Sequence, residues 1–483
     1  MSFQTCWRCV SRASDPALLA YRPAQQSGIV FPASKVLFST SASSLHDRGA
    51  GGAGRARKST VKDDVPTRGR SRNFIAKKKT GNLDRGKRPA VGERKALRKR
   101  IVVSNTNALE VYGMQDITAT SIVDESLRGQ VLGIPGPVVD QLRAVEAFKV
   151  PQSWALFRRP AMLIRRETVD FGKEMEQIEQ DKNRSIRRVL VGDRGSGKSL
   201  MLLQAMTMAF LKKWVVINIP NAQDIILAQS EYGPLPSTNP PLYTQPTNTA
   251  ALLSAISRAN PILSDLPLSQ NTSSQTTLPV PLPPNISLSR LALLGASDPE
   301  NAYPIFQLLL SELKTPGRPP LMLCLDGLAH IMGDTKYIAP PTYKPIHAHS
   351  FTIPKFFLDH LSGSSPLPNG GVVLAATSNS NNPVVPSLNL ALAQLEGKEE
   401  VRRDPFRKYD ERVLGVFNNG RGPVEVQRIG GVGKEEARAL MEYWAKSGVC
   451  RQRVDEGFVG EKWSLSGGGV VGELERAVVR MRF

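Results

Sequence analysis

The chain has 483 residues, 41% of them hydrophobic, and a formal net charge of +20. At roughly 100–200 residues per domain, this length allows two to four domains, and the hydrophobic content excludes a wholly disordered chain. Four cysteines exclude a secreted scaffold held together by disulfides. No apolar run approaches the roughly 18–20 residues that a membrane span needs, so we expect no membrane-spanning segment.

The positive charge is concentrated at the N-terminus. Residues 1–100 contain 23 Lys and Arg against 6 Asp and Glu, whereas the remaining residues contain 40 against 37. Within residues 1–46, Asp15 is the only acid, and Phe38 leads into small hydroxyl residues as in a matrix-protease cleavage region. An Arg-bearing, Ser-rich and acid-poor segment is typical of an organellar transit peptide, so residues 1–46 are predicted to direct the chain to the mitochondrial matrix. A disordered N-terminus without a targeting role is the alternative.

A basic arm, residues 47–103, follows this segment. Residues 47–100 hold 19 basic and 5 acidic residues with few apolar ones between them, so the arm cannot bury a core and is predicted to be disordered alone. Clustered Lys and Arg neutralise phosphates and release counterions, which favours RNA or DNA contact over the alternative of a solvated linker. Because Phe74 is the only aromatic residue of the arm, we expect contacts to the nucleic-acid backbone.

Residues 104–400 have a globular composition and contain the strongest motif of the chain. An apolar strand ending at Val191 runs into a loop with the spacing G-x-x-x-x-G-K-S, and an apolar helix follows, a context that argues against a chance match. The predicted nucleotide-contacting residues are Gly192, Asp193, Arg194, Gly195, Ser196, Gly197, Lys198, Ser199 and Leu200. Glycines allow consecutive backbone N–H groups to surround a phosphate, and the helix N-terminus adds a positive dipole end. Lys198 is predicted to reach the β- and γ-phosphates, and the Ser199 hydroxyl to ligate Mg²⁺.

A second strand supplies the acid that a phosphate-bound Mg²⁺ requires. Leu321–Leu325 is uninterrupted apolar sequence and ends in Asp326, which we predict to join Ser199 in the metal shell. An Asp that merely ends a buried strand is the alternative. The next residue is Gly327, where ATP-driven motors usually place a Glu that orients the attacking water. We therefore assign no catalytic residue and predict slow or absent hydrolysis.

Further strands and helices define the fold class. Trp214–Ile219 and Gly371–Ala376 also read as buried strands, and alternation with helices predicts an α/β fold with a mostly parallel sheet. Thr377, Ser378 or Asn379 lies where AAA+-like ATPases carry a sensor residue, although ordinary turn chemistry explains these residues equally well.

The remaining segments are predicted to lie outside that sheet. Residues 233–285 are rich in Pro, Ser, Thr and Asn and almost uncharged, which predicts a long, partly disordered insertion. Residues 401–483 are predicted to form a small helical lid domain, with an apolar face at Ala437, Leu440, Met441 and Trp444. His347 and His349 lack further ligands nearby in the sequence, so we predict a surface loop there instead of a metal site.

Together these features resemble the death-associated protein 3 family of mitochondrial small-subunit ribosomal proteins. The matching segments are Arg187–Leu200, Asp326 with Gly327, Gly370–Ser378, the helix at 442–448 and the lead-in Pro160–Arg165. The resemblance covers roughly residues 110–232 and 287–483. Residues 233–285 and much of the basic arm depart from the family pattern.

The resemblance implies a P-loop, AAA+-like domain with a location and ligands typical of the family. It implies the head of the mitochondrial small ribosomal subunit, a bound guanine nucleotide (GTP or GDP) with Mg²⁺, and a role in mitochondrial translation. It also implies contacts to rRNA and neighbouring ribosomal proteins, and to the large subunit through intersubunit bridges. By match to the motif, Gly195, Gly197, Lys198 and Ser199 would contact phosphates and Asp326 would lie in the metal shell. Because a P-loop reads phosphates and not the base, ATP is kept as an alternative.

Two functions remain open at this point. The first is a structural ribosomal protein whose bound nucleotide stabilises its fold. The second is a mitochondrial AAA+-type ATPase that remodels protein or nucleic-acid complexes. The Gly at position 327 and the lack of a recognisable arginine-finger motif favour the first, although a finger can come from a neighbouring subunit.

Overall fold

The structure is a computed structural model that describes most of the chain after residue 108. The described residues are 109–149, 152–182, 184–236, 238–269, 282–283, 285–340, 342–378, 382–397, 403–418 and 423–479. The predicted transit peptide (1–46) and basic arm (47–103) therefore lie outside the described residues, as does Asn379.

A parallel sheet of five strands forms the centre of the described chain. Side by side, its strands are β11 (Glu425–Arg428), β3 (Ser185–Val191), β10 (Gly371–Ala376), β7 (Leu321–Asp326) and β4 (Val215–Ile219). Strands β4, β7 and β10 are buried along their whole length, as expected for near-continuous apolar strands covered on both faces. Ala376 pairs with both Leu190 and Asp326, so the carboxyl ends of β3, β10 and β7 meet at one edge of the sheet. The predicted α/β fold class with a mostly parallel sheet is confirmed.

Helices cover both faces of this sheet. In chain order they are α1 (Gly136–Ala144), α2 (Arg166–Gln180), α3 (Lys198–Leu211), α4 (Ala222–Ile226), α5 (Pro246–Ala259), α6 (Leu288–Ser297), α7 (Ala302–Leu313), α8 (Thr352–Leu361), α9 (Pro386–Leu395), α10 (Glu411–Asn418), α11 (Lys434–Lys446), α12 (Glu456–Leu465) and α13 (Val471–Val478). Because side chains alternate across a strand, Leu323 packs in one hydrophobic layer with α5 to α8, whereas Cys324 packs in the other with α1 to α3. None of the helices in the described part of the chain is both long and apolar enough to cross a membrane.

Within the described residues, three antiparallel strand pairs lie outside the main sheet. They are β1 (Val131–Gly133) with β2 (Ala161–Leu163), β5 (Gly233–Pro234) with β6 (Tyr243–Thr244), and β8 (Asp334–Ala339) with β9 (Lys344–His347). The first pair packs against the C-terminal helices and the other two contribute to a small aromatic cluster that includes Tyr243 and Tyr337.

The segment 233–285 is not simply an insertion, and that prediction is wrong for its helical part. Helix α5 buries Leu253 and Ile256 against the main sheet. Beyond it, the buried side chain of Asn260 accepts a hydrogen bond from the Val216 backbone N–H at 2.8 Å and donates one to the Val216 carbonyl at 2.9 Å. The Pro-rich composition of the segment does not exclude a helix here, because Pro246 occupies the first turn of α5, where its missing N–H costs nothing.

The predicted boundary between residues 400 and 401 is also wrong. Strand β11 belongs to the main sheet and pairs in parallel with β3, so the helical C-terminal part begins only at Lys434. Short β11 is half-exposed at the sheet edge and lacks the long apolar run by which the inner strands are recognised. Ala437, Leu440, Met441 and Trp444 do share one hydrophobic cluster, as predicted, but it packs against β1 and β2.

Candidate functional site

The glycine-rich loop joins the end of β3 to the start of α3, as its motif predicts. Gly195 and Gly197 have φ values of 80° and 105°, in the left-handed region that side chains with a Cβ rarely adopt. At Gly192 a Cβ would lie 2.4 Å from the carbonyl oxygen of Ile429. The three motif glycines are therefore required by the turn itself and by the close approach of the neighbouring backbone.

The Lys198 side chain forms hydrogen bonds to the backbone of the loop. Its ammonium donates to the carbonyl oxygens of Gly192 at 2.8 Å and Asp193 at 2.7 Å, and its side chain is buried. Burial lowers the pKa of Lys198, while the charges of Asp326 and Asp193 act in the opposite direction. The ammonium therefore lies beside the N-terminus of helix α3, where it adds positive charge that would attract an anion.

The structure brings Ser199 and Asp326 together across 127 residues of sequence. The Ser199 hydroxyl donates to Asp326 Oδ2 at 2.6 Å, and Asp326 is only 5% exposed. Strand β7 ends at this carboxylate, and helix α3 begins beside it. A hydroxyl and a carboxylate so placed can supply two ligands of the octahedral oxygen shell that suits Mg²⁺.

Lys149 is a member of this site that sequence reasoning missed. Its ammonium forms an ion pair with Asp326 Oδ2, the same oxygen that accepts from Ser199. Lys149 follows helix α1, far from any motif, and no local pattern marks it. The contact arises from tertiary packing across 177 residues of sequence.

The backbone of the loop, and not a serine side chain, is what fits an anion. The Ser196 hydroxyl is buried without a hydrogen-bond partner in the described part of the chain, but Ser196 does not line the cleft. Gly195 and Gly197 do line it, beside the Lys198 ammonium at the start of α3. A glycine turn at a helix N-terminus with a lysine beside it fits a phosphate group.

The C-terminal helix closes the cleft above the loop. The backbone N–H of Gly472 donates to the Gly195 carbonyl at 2.9 Å, and a Cβ at Gly472 would lie 3.0 Å from Gly195 Cα. The next turn of α13 holds Glu475, which accepts a hydrogen bond from the Ser153 hydroxyl. Glu473 and Arg476 pair with each other at 2.6 Å and line the same cleft. The sequence predicts a C-terminal lid but does not single out these residues. No motif surrounds Gly472 or its neighbours on α13.

An apolar cavity adjoins the cleft beside the glycine-rich loop. It lies between β2, α3 and the C-terminal helices, and its walls include Trp154, Phe157, Met162 and Tyr443. Gln152 lines both this cavity and the cleft, so the two spaces are neighbours. The cavity has walls that suit a flat apolar group.

The position after Asp326 offers no base for hydrolysis. Gly327 has a φ of 89°, and a Cβ there would lie 3.1 Å from the His330 ring. Glu312 is fully buried and paired with Arg318, so it is not placed to orient a water molecule in the cleft. Thr377 lines the cleft, but its hydroxyl donates to the Leu190 carbonyl at 3.1 Å.

The predicted surface location of His347 and His349 is wrong. His347 is 5% exposed, and the two rings pack edge to face with centroids 4.5 Å apart. Burial lowers the pKa of both imidazoles, that of His349 to about 3. The pair belongs to the packing between β9 and Asp410.

A family model and two named relatives indicate the same protein family. The family model described as mitochondrial ribosomal death-associated protein 3 matches residues 162–477. A Neurospora crassa protein named small ribosomal subunit protein mS29 is 44% identical and covers 99% of this chain and 98% of its own length. A Schizosaccharomyces pombe protein of the same name is 24% identical, covering 72% and 71% respectively.

Among solved structures, the crystal structure of Cdc6p from Pyrobaculum aerophilum matches 57% of this chain and 46% of its own, at 12% identity and a TM-score of 0.25. That likeness is too low to bear on fold or function. The family match instead spans the glycine-rich loop, Asp326 and most of the C-terminal helices. The chain therefore belongs to the family of mitochondrial ribosomal death-associated protein 3.

Proposed function

We propose that this chain is a structural component of the mitochondrial small ribosomal subunit, in its head region, and supports mitochondrial translation. The observation that carries the proposal is the 44% identity, over 99% of the chain, to a relative named small ribosomal subunit protein mS29. Agreement over nearly the whole length of both chains supports a shared assembly and not only a shared nucleotide domain.

A nucleotide bound through its phosphates is the second part of the proposal. Gly195 and Gly197 turn the loop, Lys198 supplies a cation, and helix α3 directs its N-terminus at the same point. Ser199 and Asp326 would hold Mg²⁺, which neutralises phosphate charge when it is bound. The apolar cavity beside the loop would take the base, with the side-chain NH₂ of Gln152 able to donate to its edge, while the amide oxygen accepts from the Trp154 indole N–H.

Guanine is proposed as the base because the family resemblance implies GTP or GDP. The apolar cavity would stack any purine, so ATP stays the alternative that an experiment must exclude. Denaturing the purified protein and identifying the released nucleotide by chromatography tests this directly. Recovery of adenine nucleotide alone would contradict the guanine proposal.

The nucleotide is proposed to stabilise the fold and not to be consumed. It would join the glycine-rich loop to the C-terminal helix, two parts of the chain that meet through the Gly472 to Gly195 hydrogen bond. Gly327 places no carboxylate directly after Asp326, which favours a structural role over the alternative of an ATP-driven remodelling enzyme. Multiple-turnover hydrolysis that Lys198→Ala abolishes would establish that alternative instead.

Contacts to rRNA are proposed for the basic arm. Residues 1–100 carry most of the excess positive charge, whereas the remaining residues are close to neutral. Removing residues 47–100 should weaken association with the subunit and reduce its dependence on salt. An unchanged salt slope would show that the arm is only a tether. Neighbouring ribosomal proteins, and the large subunit through intersubunit bridges, are proposed as further partners.

Sedimentation tests the assembly proposal. Tagged chain from mitochondrial lysate is expected to travel with the small subunit in a sucrose gradient and to move to the top after RNase treatment. A chain that sediments as a free protein in untreated lysate would contradict the ribosomal assignment.

A further inference from the structure

One oxygen of Asp326 serves two donors. Oδ2 accepts the hydrogen bond of the Ser199 hydroxyl at 2.6 Å and also contacts the Lys149 ammonium. Because the Asp326 side chain is 5% exposed, its charge needs a partner inside the protein. Lys149 supplies that partner in the structure.

The lysine of the motif does not fill this role. Lys198 donates to the carbonyl oxygens of Gly192 and Asp193, so its hydrogen bonds are made to the loop. The charge of Asp326 acts on Lys198 by electrostatic attraction, which works to raise the pKa of Lys198. The positive charge in direct contact with Asp326 is therefore that of Lys149.

The backbone leading to Lys149 is held in place by contacts of two preceding residues. The Val145 carbonyl accepts a hydrogen bond at 2.8 Å from the buried Asn218 side chain on strand β4. Phe148 packs edge to face on Trp154, with ring centroids 5.2 Å apart. The lysine side chain itself is 32% exposed and lines the cleft. It is therefore anchored at its backbone and free to leave Asp326 at its tip.

We propose that Lys149 is a built-in counterion of Asp326 that competes with a divalent cation for Oδ2, so that the site holds its nucleotide with little dependence on Mg²⁺. This inference rests on the proposed nucleotide site and concerns how that site is neutralised. Ammonium and Mg²⁺ both seek the same carboxylate oxygen, and a tethered cation has a high effective concentration at its partner. Mg²⁺ binds only when it displaces Lys149.

The variant Lys149→Met distinguishes the effect of the lysine ammonium on Asp326 from that of Mg²⁺. Methionine keeps most of the length and the apolar stem of lysine but leaves Asp326 without its counterion. The variant should unfold at a lower temperature in EDTA and regain that loss in millimolar Mg²⁺, because the metal then faces no competitor. Wild type should respond weakly to Mg²⁺. Lys336→Met, at an exposed position on β8, is the matched control and should behave as wild type.

A double variant shows whether the response passes through Asp326. Lys149→Met combined with Asp326→Asn removes both charges and should lose the Mg²⁺ response. This is the result that a double-mutant cycle gives when two residues act on each other. These melting experiments use the full chain without added nucleotide. Equal Mg²⁺ responses in wild type and Lys149→Met would overturn the inference.

Nucleotide binding gives an independent measurement. We expect the affinity of the wild type for a fluorescent guanosine diphosphate to change by less than about threefold between EDTA and Mg²⁺, and that of Lys149→Met to change by roughly tenfold or more. The same Mg²⁺ dependence in both proteins contradicts the role of Lys149 and leaves nucleotide binding intact. Absence of binding in every protein contradicts the proposed nucleotide site, and the Mg²⁺ response in melting then decides the role of Lys149 alone.

Discussion

Gly472 donates its backbone N–H to the carbonyl oxygen of Gly195 at 2.9 Å, so the last helix touches the glycine-rich loop directly. Neither residue carries a Cβ, and a Cβ at Gly472 would lie 3.0 Å from Gly195 Cα. The close approach therefore favours glycine at position 472, whereas at position 195 the φ of 80° is what favours glycine. The shape of the cleft therefore depends on the C-terminal helix as well as on the motif.

Gly472→Ala tests this contact. The new methyl group forces α13 away from the loop, so nucleotide affinity should fall by roughly tenfold, which is about 1.4 kcal/mol. The melting temperature should change little, because alanine is the better helix former. Titration with a fluorescent nucleotide measures the effect. Gly460→Ala in α12 is the control, since its Cβ would meet nothing closer than 3.8 Å, and a similar loss there would contradict the prediction.

Arg318→Ala should destabilise the fold far from the nucleotide cleft. Arg318 pairs with the fully buried carboxylate of Glu312, which also accepts the Ser269 backbone N–H at 3.1 Å. Removal of one partner leaves an uncompensated buried charge, so the free energy of unfolding should fall by about 3–5 kcal/mol. Urea denaturation gives the value.

An exposed ion pair provides the comparison for that variant. Arg403 and Glu411 lie 2.7 Å apart, but both side chains are more than half exposed. Arg403→Ala should therefore change the free energy of unfolding by less than about 1 kcal/mol. If the two substitutions had equal effects, burial of Glu312 would not govern the energetics of its pair.

Asn260→Ala should weaken the free edge of the sheet. Strand β4 ends the sheet order, and its Val216 backbone is satisfied on the open side by the Asn260 side chain, which also donates to the Ile256 carbonyl at 2.8 Å. Loss of these buried bonds should cost roughly 2–4 kcal/mol in urea denaturation. Asn389→Ala, on the exposed face of α9, should stay within about 0.5 kcal/mol of wild type. Hydrogen exchange faster at Val216 than in wild type would locate the effect.

His360 should make stability fall in mild acid. Burial lowers the pKa of His360 to about 4, although its contact with the Phe356 carbonyl acts in the opposite direction. Between pH 6.5 and pH 4 the unfolded chain therefore binds more protons than the folded one, so the free energy of unfolding decreases as pH falls. The contribution is fully present above about pH 6.5 and is lost by about pH 4.

His360→Gln isolates that contribution. Over the same pH window, the free energy of unfolding of this variant should fall by roughly 2–3 kcal/mol less than that of wild type. Urea denaturation at a series of pH values supplies both curves. Parallel curves would mean that protonation of His360 is not linked to unfolding, whatever the effect of the substitution at neutral pH.

The glycine-rich loop and its flanking elements follow from local sequence. The apolar run ending at Val191, the glycines at fixed spacing and the helix after Ser199 each depend on residues close together in the chain. The same holds for the buried strand that ends in Asp326. Motif and periodicity therefore predicted both strands and their parallel α/β class, because each of these is encoded within short segments. The resemblance of several such segments pointed to the family.

Elements with a weak sequence pattern could not be predicted in this way. Helix α5 lies in a Pro- and Ser-rich segment and is buried against helices α6 and α7 and strand β4, whereas β11 is half-exposed and too short to show an apolar run. Both belong to the fold through partners distant in the chain. Their existence was decided by packing, which overrides composition when an apolar surface is available to cover.

By itself, then, the sequence determined the phosphate-loop motif, the acid that faces it and the kind of sheet that carries them. Only the tertiary structure decided that Lys149 neutralises Asp326, that Gly472 closes on Gly195 and that an apolar cavity adjoins the cleft. The reason is physical: hydrogen-bond spacing along a loop is a property of neighbouring residues, whereas these contacts require separate elements to be packed side by side. They join parts of the chain that no local pattern connects.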